Sequence, residues 1–181
     1  TTNFDVFLLA TDGSGQRTNI TSGNPADDSS PVYSPDGRYI LYGRQNIDHF
    51  YADKVVMTLY DTQAGTHTPL TGDVDLSGAN WFWSPDGRTV FFHAEDRAMT
   101  SIFSIPARGG RHAEVFRGGS NSGAALATPG YMVFSHNNLS QPAEIYRLDM
   151  RRGELVKLTG FNDEIVDGIR WGEIENVTYE G

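Results

Sequence analysis

One five-residue word occurs twice in this chain, as Ser34-Pro35-Asp36-Gly37-Arg38 and Ser84-Pro85-Asp86-Gly87-Arg88, with the two glycines 50 residues apart. Each copy lies between apolar runs. Pro31-Val32-Tyr33 enters the first and Tyr39-Ile40-Leu41-Tyr42 leaves it; Trp81-Phe82-Trp83 enters the second and Val90-Phe91-Phe92 leaves it. The proline presets φ for a turn, the aspartate can bond its own backbone, and the glycine accepts positive φ at no steric cost. Two apolar runs around such a turn predict a β-hairpin, and its recurrence at this period predicts stacked or radially arranged β units.

A second hairpin recurs between these inner ones. Residues 5–10 pair with 16–22, 55–60 with 66–71, 101–105 with 111–116, and 143–148 with 154–159; the turn glycines Gly15, Gly65, Gly110 and Gly153 are 50, 45 and 43 residues apart. A third inner hairpin is degenerate. Residues 124–127 and 131–134 flank Thr128-Pro129-Gly130, which lacks the Asp and Arg of the other two. The fixed order predicts an all-β fold made of β-propeller blades, each of four antiparallel strands. The predicted partial propeller spans 1–172: a half blade at 1–30, whole blades at 31–76, 77–120 and 121–162, and a connector at 163–172, after which 173–181 begins a linker. A β-sandwich is the alternative, but it predicts no fixed order of inner and outer hairpins. Gly and Pro punctuate the chain too often for a long helix. The inserts at 23–30 and 45–53 are expected to be loops on a propeller face.

Closed propellers have about four to eight blades, and an open stack exposes apolar blade faces and strand edges. The chain is therefore expected to belong to a larger propeller or to self-associate through its exposed blade faces. At 181 residues it can bury a sizeable core without staples, and it has no cysteine for disulfides, thiolate metal sites or thiol catalysis. With 14 Lys+Arg against 23 Asp+Glu, its net charge of −9 argues against nucleic acid and anionic membrane surfaces as partners. No apolar run reaches the roughly 20 residues of a membrane span. Thr1-Thr2-Asn3-Phe4-Asp5 has neither a signal-peptide pattern nor an initiator Met, so an upstream segment is expected; cytoplasmic and periplasmic locations both stay open.

No residue is assigned a catalytic, cofactor-binding or metal-binding role. The string nearest to a G-x-S-x-G nucleophile elbow is Gly119-Ser120-Asn121-Ser122-Gly123; it has Asn at the central position and is read as a flexible blade linker. The turns at Gly13 and Gly109 lack the spacing and lysine of a phosphate loop. His49, His67, His93, His112 and His136 show no paired ligand spacing, and His93 and His136, at strand ends, are read as surface or inter-blade hydrogen-bonders. Asp73, Asp75 and Ser77 lack the Gly and Glu that complete a calcium loop. Asp27-Asp28 is read as a solvated, turn-capping pair. Alternation puts Trp81 and Trp83 on one strand face and Phe82 on the other, which suits packing between blades. The triplets at Asn19, Asn138 and Asn176 match a glycosylation pattern common by chance, and Arg151-Arg152 is a solvated turn.

The SPDGR doublet resembles the propeller repeats of TolB and of prolyl oligopeptidase family serine peptidases. The segment 24–33 and the tail, Leu158-Thr159-Gly160-Phe161-Asn162-Asp163-Glu164 through Arg170-Trp171-Gly172-Glu173, are similar to acylaminoacyl-peptidase and dipeptidyl-peptidase-like members. The resemblance implies the later part of a propeller of about seven blades, followed by an α/β-hydrolase domain with the Ser-His-Asp triad. The propeller would gate peptide substrates and dock on that domain. The TolB likeness implies instead a non-enzymatic propeller that binds a protein partner.

Overall fold

The computed structural model describes residues 3–128, 130–175, 177 and 179. Among these the chain forms fourteen strands and one short helix. β1 (Phe7–Leu9) and β2 (Arg17–Asn19) make a two-stranded antiparallel unit. β3 (Asp28–Tyr33), β4 (Tyr39–Arg44), β5 (Val56–Asp61) and β6 (His67–Pro69) follow as a four-stranded meander. β7 (Ala79–Trp83), β8 (Thr89–Asp96), β9 (Met99–Pro106) and β10 (Ala113–Phe116) repeat it. β11 (Ser120–Thr128), β12 (Tyr131–Asn138), β13 (Gln141–Asp149) and β14 (Glu154–Lys157) repeat it again. A parallel bridge, Ser120 to Thr100, joins the last two meanders into one hydrogen-bonded sheet. The fold is that of open propeller blades. α1 (Asp163–Asp167) follows the last strand.

The repeated turn is the same object twice. Ser34 Oγ donates to Asp36 Oδ1 at 2.6 Å, that oxygen accepts from Arg38 N at 3.1 Å, and Tyr39 N donates back to Ser34 Oγ at 2.9 Å. Around Ser84 and Asp86 the same three bonds measure 2.6, 3.1 and 3.0 Å. Gly37 and Gly87 have φ of 69° and 66°, where a Cβ would be strained.

Strand alternation then divides the apolar side chains between neighbouring blades. From β4, Ile40 and Tyr42 pack back against Val6 and Ile20 of the half blade. Leu41 points forward, and with Met57 it meets Trp81, Val90 and Phe92 of the next blade. From β8, Phe91 joins Ile102 against Met132, Phe134 and Leu148 of the last blade. Each fully buried side chain of this size contributes roughly 1.5–3 kcal/mol of apolar transfer, so the three layers hold the stack together.

A left-handed residue breaks the first strand of two blades at equivalent places. Ser30 (φ 54°) and Asn80 (φ 47°) sit where the β3 and β7 registers shift. At the first break, Trp81 Nε1 donates to the Ser30 carbonyl at 3.0 Å across the blade boundary. Trp81 is buried, Trp83 packs on the same cluster and Phe82 on the opposite one, as alternation predicts.

One expectation is corrected here. Ser120 to Gly123 is strand rather than flexible linker. Asn121 is buried, and its Nδ2 donates to Thr100 O at 2.7 Å and Gly118 O at 3.0 Å, which ties the segment to the preceding blade. Gly123 (φ 61°) lies within the register shift between Ser122 and Ala125, and Gly119 leaves room for the Asn137 carbonyl, which a Cβ would meet at 2.1 Å. At both ends of the stack apolar faces are open: Phe7 and Leu9 on the half blade, Ile145, Val156 and Leu158 on the last.

Candidate functional site

The hairpin turns after β3, β5, β7, β9, β11 and β13 lie at one end of the strands. The connections between blades, with the 45–55 loop, lie at the other, and there the chain buries most of its polar groups.

Asp28 begins β3 and is 2% exposed. Asn24 Nδ2 donates to its Oδ1 at 3.1 Å and also to Gln45 O at 3.0 Å, while Asp28 Oδ2 has no partner. Arg44 faces Asp28 in register, with its Nε also buried and unpartnered. Burial is the main effect on the carboxyl, pushing its pKa up to about 6 against the pull of Asn24 and Arg44. The expected Asp27-Asp28 pair is therefore split. Asp27 accepts from Phe4 N at 3.1 Å in an exposed bond, whereas Asp28 is a core residue. Beside it, Tyr42 is fully buried, its phenol pKa pushed up to about 12 chiefly by burial, and its hydroxyl bonds His67 Nδ1 at 3.0 Å.

The two strand-end histidines differ. His93 is 1% exposed, and neither ring nitrogen has a hydrogen-bond partner of normal geometry. Burial holds its pKa below the usual imidazole value, with a smaller opposing pull from the Asn80 backbone. It is thus not a surface residue: it pairs with Ala79 and Ile102 inside its own blade and shares the strand face of Phe91, which packs against the last blade. His136 Nδ1 bonds Asn121 Oδ1 at 2.8 Å, and Asn121 carries the link on to Thr100 in the preceding blade.

Glu144 is the buried acid of β13, on the same strand face as Tyr146 and Leu148. It accepts from Thr159 Oγ1, from Asn162 N at 2.9 Å and from Asn162 Nδ2 at 3.0 Å. Those bonds, Thr159 first, hold its pKa down to about 2. Lys157 pairs with Asp163 close by. Two side-chain anchors therefore fasten the segment leading into α1 onto the last blade. The period-2 position of Glu144 in an otherwise inward-facing series is a sequence signal for this burial.

What these groups do chemically is hold main chain and side chains in place. His67 is paired with a tyrosine and His136 with an asparagine. Lys54 Nζ donates to the carbonyls of Gly72 and Val74, and Ser77 Oγ accepts from Val55 N, so the 72–77 loop is tied to its neighbour by its own groups. Among the described residues, no group of three or more His, Cys, Asp or Glu is placed to hold a metal ion. Asn176 lies outside the described residues.

Two concavities lie beside the boundary between the second and third blades. One, of about 780 Å³, runs between the two SPDGR turns and is lined by Tyr39, Leu59, Pro69, Pro106, Arg88 and Arg108. The other, about 660 Å³, lies at the outer edge, where Arg117 bridges Asp96 and Glu114.

No family model matches the chain. Its fold is like that of propellers in solved structures of TolB and of acylaminoacyl peptidase. It resembles TolB from Acinetobacter baumannii with a TM-score of 0.65 at 24% identity, over 87% of this chain and 38% of that one. The acylaminoacyl peptidase of Pyrococcus horikoshii matches with a TM-score of 0.69 at 18% identity, over 92% and 24%. The propeller domain of the Trilobed protease from Pyrococcus furiosus, described as having an open velcro topology, matches with a TM-score of 0.65 at 18% identity, over 89% and 45%.

Sequence comparison is more particular: the chain is homologous to the dipeptidyl-peptidases 5. It is 24% identical to that of Porphyromonas gingivalis over 166 residues, 92% of this chain and 24% of the relative. It is 26% identical to that of Aspergillus fumigatus over 165 residues, 88% of this chain and 23% of the relative. The chain spans about a quarter of the length of these curated relatives.

Proposed function

We propose that this chain is the later portion of the propeller of a prolyl oligopeptidase-type serine peptidase. In this reading a separate α/β-hydrolase domain cleaves peptide bonds, while the blades wall the substrate chamber, restrict entry to peptides and dock on the hydrolase. The observation that carries the reading is the dipeptidyl-peptidase 5 homology, which runs through nearly all of this chain yet matches only a quarter of the relative. The anchoring of the segment after β14 by Glu144 and Lys157 supports it, because a docked domain needs a chain exit held in a defined direction.

The reading is tested by incubating the chain with a fluorophosphonate probe and a panel of dipeptidyl substrates, and by reading the coding sequence beyond Gly181. We expect no labelling, no turnover, and a G-x-S-x-G elbow in the following sequence. Stoichiometric labelling of the chain would overturn the reading. The TolB likeness supports a second one, a propeller that binds a protein partner without catalysis. A stop codon directly after this segment would favour it.

A further inference from the structure

The blade boundaries repeat one contact, and its two halves stand open at the two ends of the stack. One repeat position on the third strand of each unit shows this. Val6, Met57 and Ile145 each donate a backbone N–H to the hydroxyl of a threonine that closes the unit, Thr21, Thr71 or Thr159, at 2.9 Å every time. Each of their carbonyls accepts from the residue before that threonine, Ile20, Leu70 or Leu158, at 3.0, 2.7 and 2.8 Å. Ile102 holds the position in the third blade: it lies opposite His93, as Met57 lies opposite Gly43 and Ile145 opposite Ser135.

In the first three units the next blade covers this position. Val6 clusters with Ile40 and Tyr42, Met57 with Trp81 and Phe92, and Ile102 with Met132 and Phe134, and all three are buried. On the last blade Ile145 is 38% exposed, and Leu158, whose counterparts Ile20 and Leu70 are buried, is 50% exposed. The opposite strand face repeats the pattern. Phe103 and Ile105 cluster with Leu41 and Met57 of the preceding blade. The same positions in the half blade are Phe7 and Leu9, 49% and 67% exposed. Each open face therefore keeps the apolar residues of a boundary that is made elsewhere in the chain. The exposed set of the last blade lies on β13 and the segment through and after β14, its outer pair of strands, and the half blade is itself an outer pair, β1 and β2, so the two faces match in extent. They stand at opposite ends of one chain and do not meet within it.

We propose that the chain associates head to tail with a second copy, the half blade of one packing on the last blade of the other to remake the boundary that recurs inside the chain. Phe7 and Leu9 would meet Ile145 and Leu158. Charge does not select this joint. Arg17 lies beside Leu9 on one face, and Arg147, Asp149 and Glu154 surround Val156 on the other, with the guanidinium groups of Arg17 and Arg147 over the rings of Phe7 and Tyr131 in their own units. The contact is apolar between two chains of net charge −9, so salt screens their repulsion and strengthens it. Because the two faces differ, the contact is heterologous. The proposal stands apart from the peptidase reading, since it rests on the repeat alone.

The test is sedimentation velocity of the 181-residue chain over a range of concentrations. The average mass should rise above that of one chain as concentration increases, and further when salt is raised. Leu9→Lys disables one face and Leu158→Lys the other; Phe7→Lys and Val156→Lys should act as their neighbours do. All four side chains are exposed, and circular dichroism with the urea midpoint checks each fold. Each variant alone should associate at least tenfold more weakly than the parent. Leu9→Lys and Leu158→Lys chains mixed in equal amounts should form a dimer that grows no further, because each still carries the face that the other lacks. A parent that stays monomeric at every concentration, association that weakens with salt, folded single variants that associate as the parent does, or a mixture that associates no better than its components would overturn the proposal.

Discussion

Replacing Gly43 with alanine tests the boundary between the second and third blades most directly. Gly43 is buried in β4, and a Cβ there would lie 2.6 Å from Trp81 Cη2 and 2.7 Å from Val55 Cγ1. The backbone is not the obstacle, because Gly43 is absent from the residues with positive φ. The obstacles are the Val55 side chain and the indole, which is 7% exposed and pinned by its bond to Ser30 O. Overpacking of this kind costs about 1–3 kcal/mol. Trp81→Phe alone removes the Nε1 donor and leaves a void, for a cost of about 2 kcal/mol from the lost bond and lost packing together. Combined, the two changes relieve the indole part of the clash, since phenylalanine has no atom where Cη2 lay, while the contact with Val55 Cγ1 is common to both Gly43 variants. The double variant should therefore be at least about 1 kcal/mol more stable than the sum of the single losses predicts. Urea unfolding followed by far-ultraviolet circular dichroism gives all four free energies without relying on Trp81 emission. Strict additivity would refute the claim that the indole of one blade occupies the space reserved by the glycine of the other.

Two further predictions concern the buried acids. Asp28 binds its proton more tightly in the folded chain than at its ordinary pKa of 3.8, so its contribution favours folding at low pH and is lost as pH rises towards about 6. Asp28→Asn should therefore gain stability relative to the parent on going from pH 4.5 to pH 7.5, by on the order of 2 kcal/mol; a difference between the two chains that does not change with pH counts against the assignment. For Glu144 the sign is reversed, because its folded pKa is depressed. Glu144→Gln keeps the shape but weakens acceptance from Thr159 and Asn162, so hydrogen exchange in residues 159–167 should speed up while the β11–β14 core stays protected. Unchanged exchange there would mean that Glu144 does not hold the chain exit.

The blade architecture was legible because it rests on local chemistry repeated in the chain. A turn such as Ser34–Arg38 closes through its own serine, aspartate and glycine, and the apolar runs on each side have a period that pairing needs. The polar groups inside the stack were less legible, for the opposite reason. Asp28 looks like one half of a solvated Asp-Asp pair until β3 is seen to begin at that residue and to place it opposite Arg44. His93 looks like a strand-end surface residue until it is seen to share the strand face of Phe91, which packs against the last blade. The Gly-rich segment at 119–123 has the composition of a linker, and only its pairing with β12, with Asn121 opposite His136, makes Ser120 to Gly123 strand.

The sequence by itself determined what kind of unit this chain repeats, where the turns fall, and which strand face carries the aromatics, since each depends on neighbours within about ten residues. It also carried the likeness to peptidase and TolB propellers. Only the tertiary structure decided how units differ. Arg38 and Arg88 have the same local sequence, yet one is held by two hydrogen bonds from a carboxylate across the strand and the other has only the Asp86 carboxylate of its own turn at 4.0 Å, because the residue opposite comes from a strand some twenty residues later: Asp61 in one blade, Pro106 in the next. Burial and pairing are set by what lies across a strand or between blades, and one-dimensional spacing does not specify that contact.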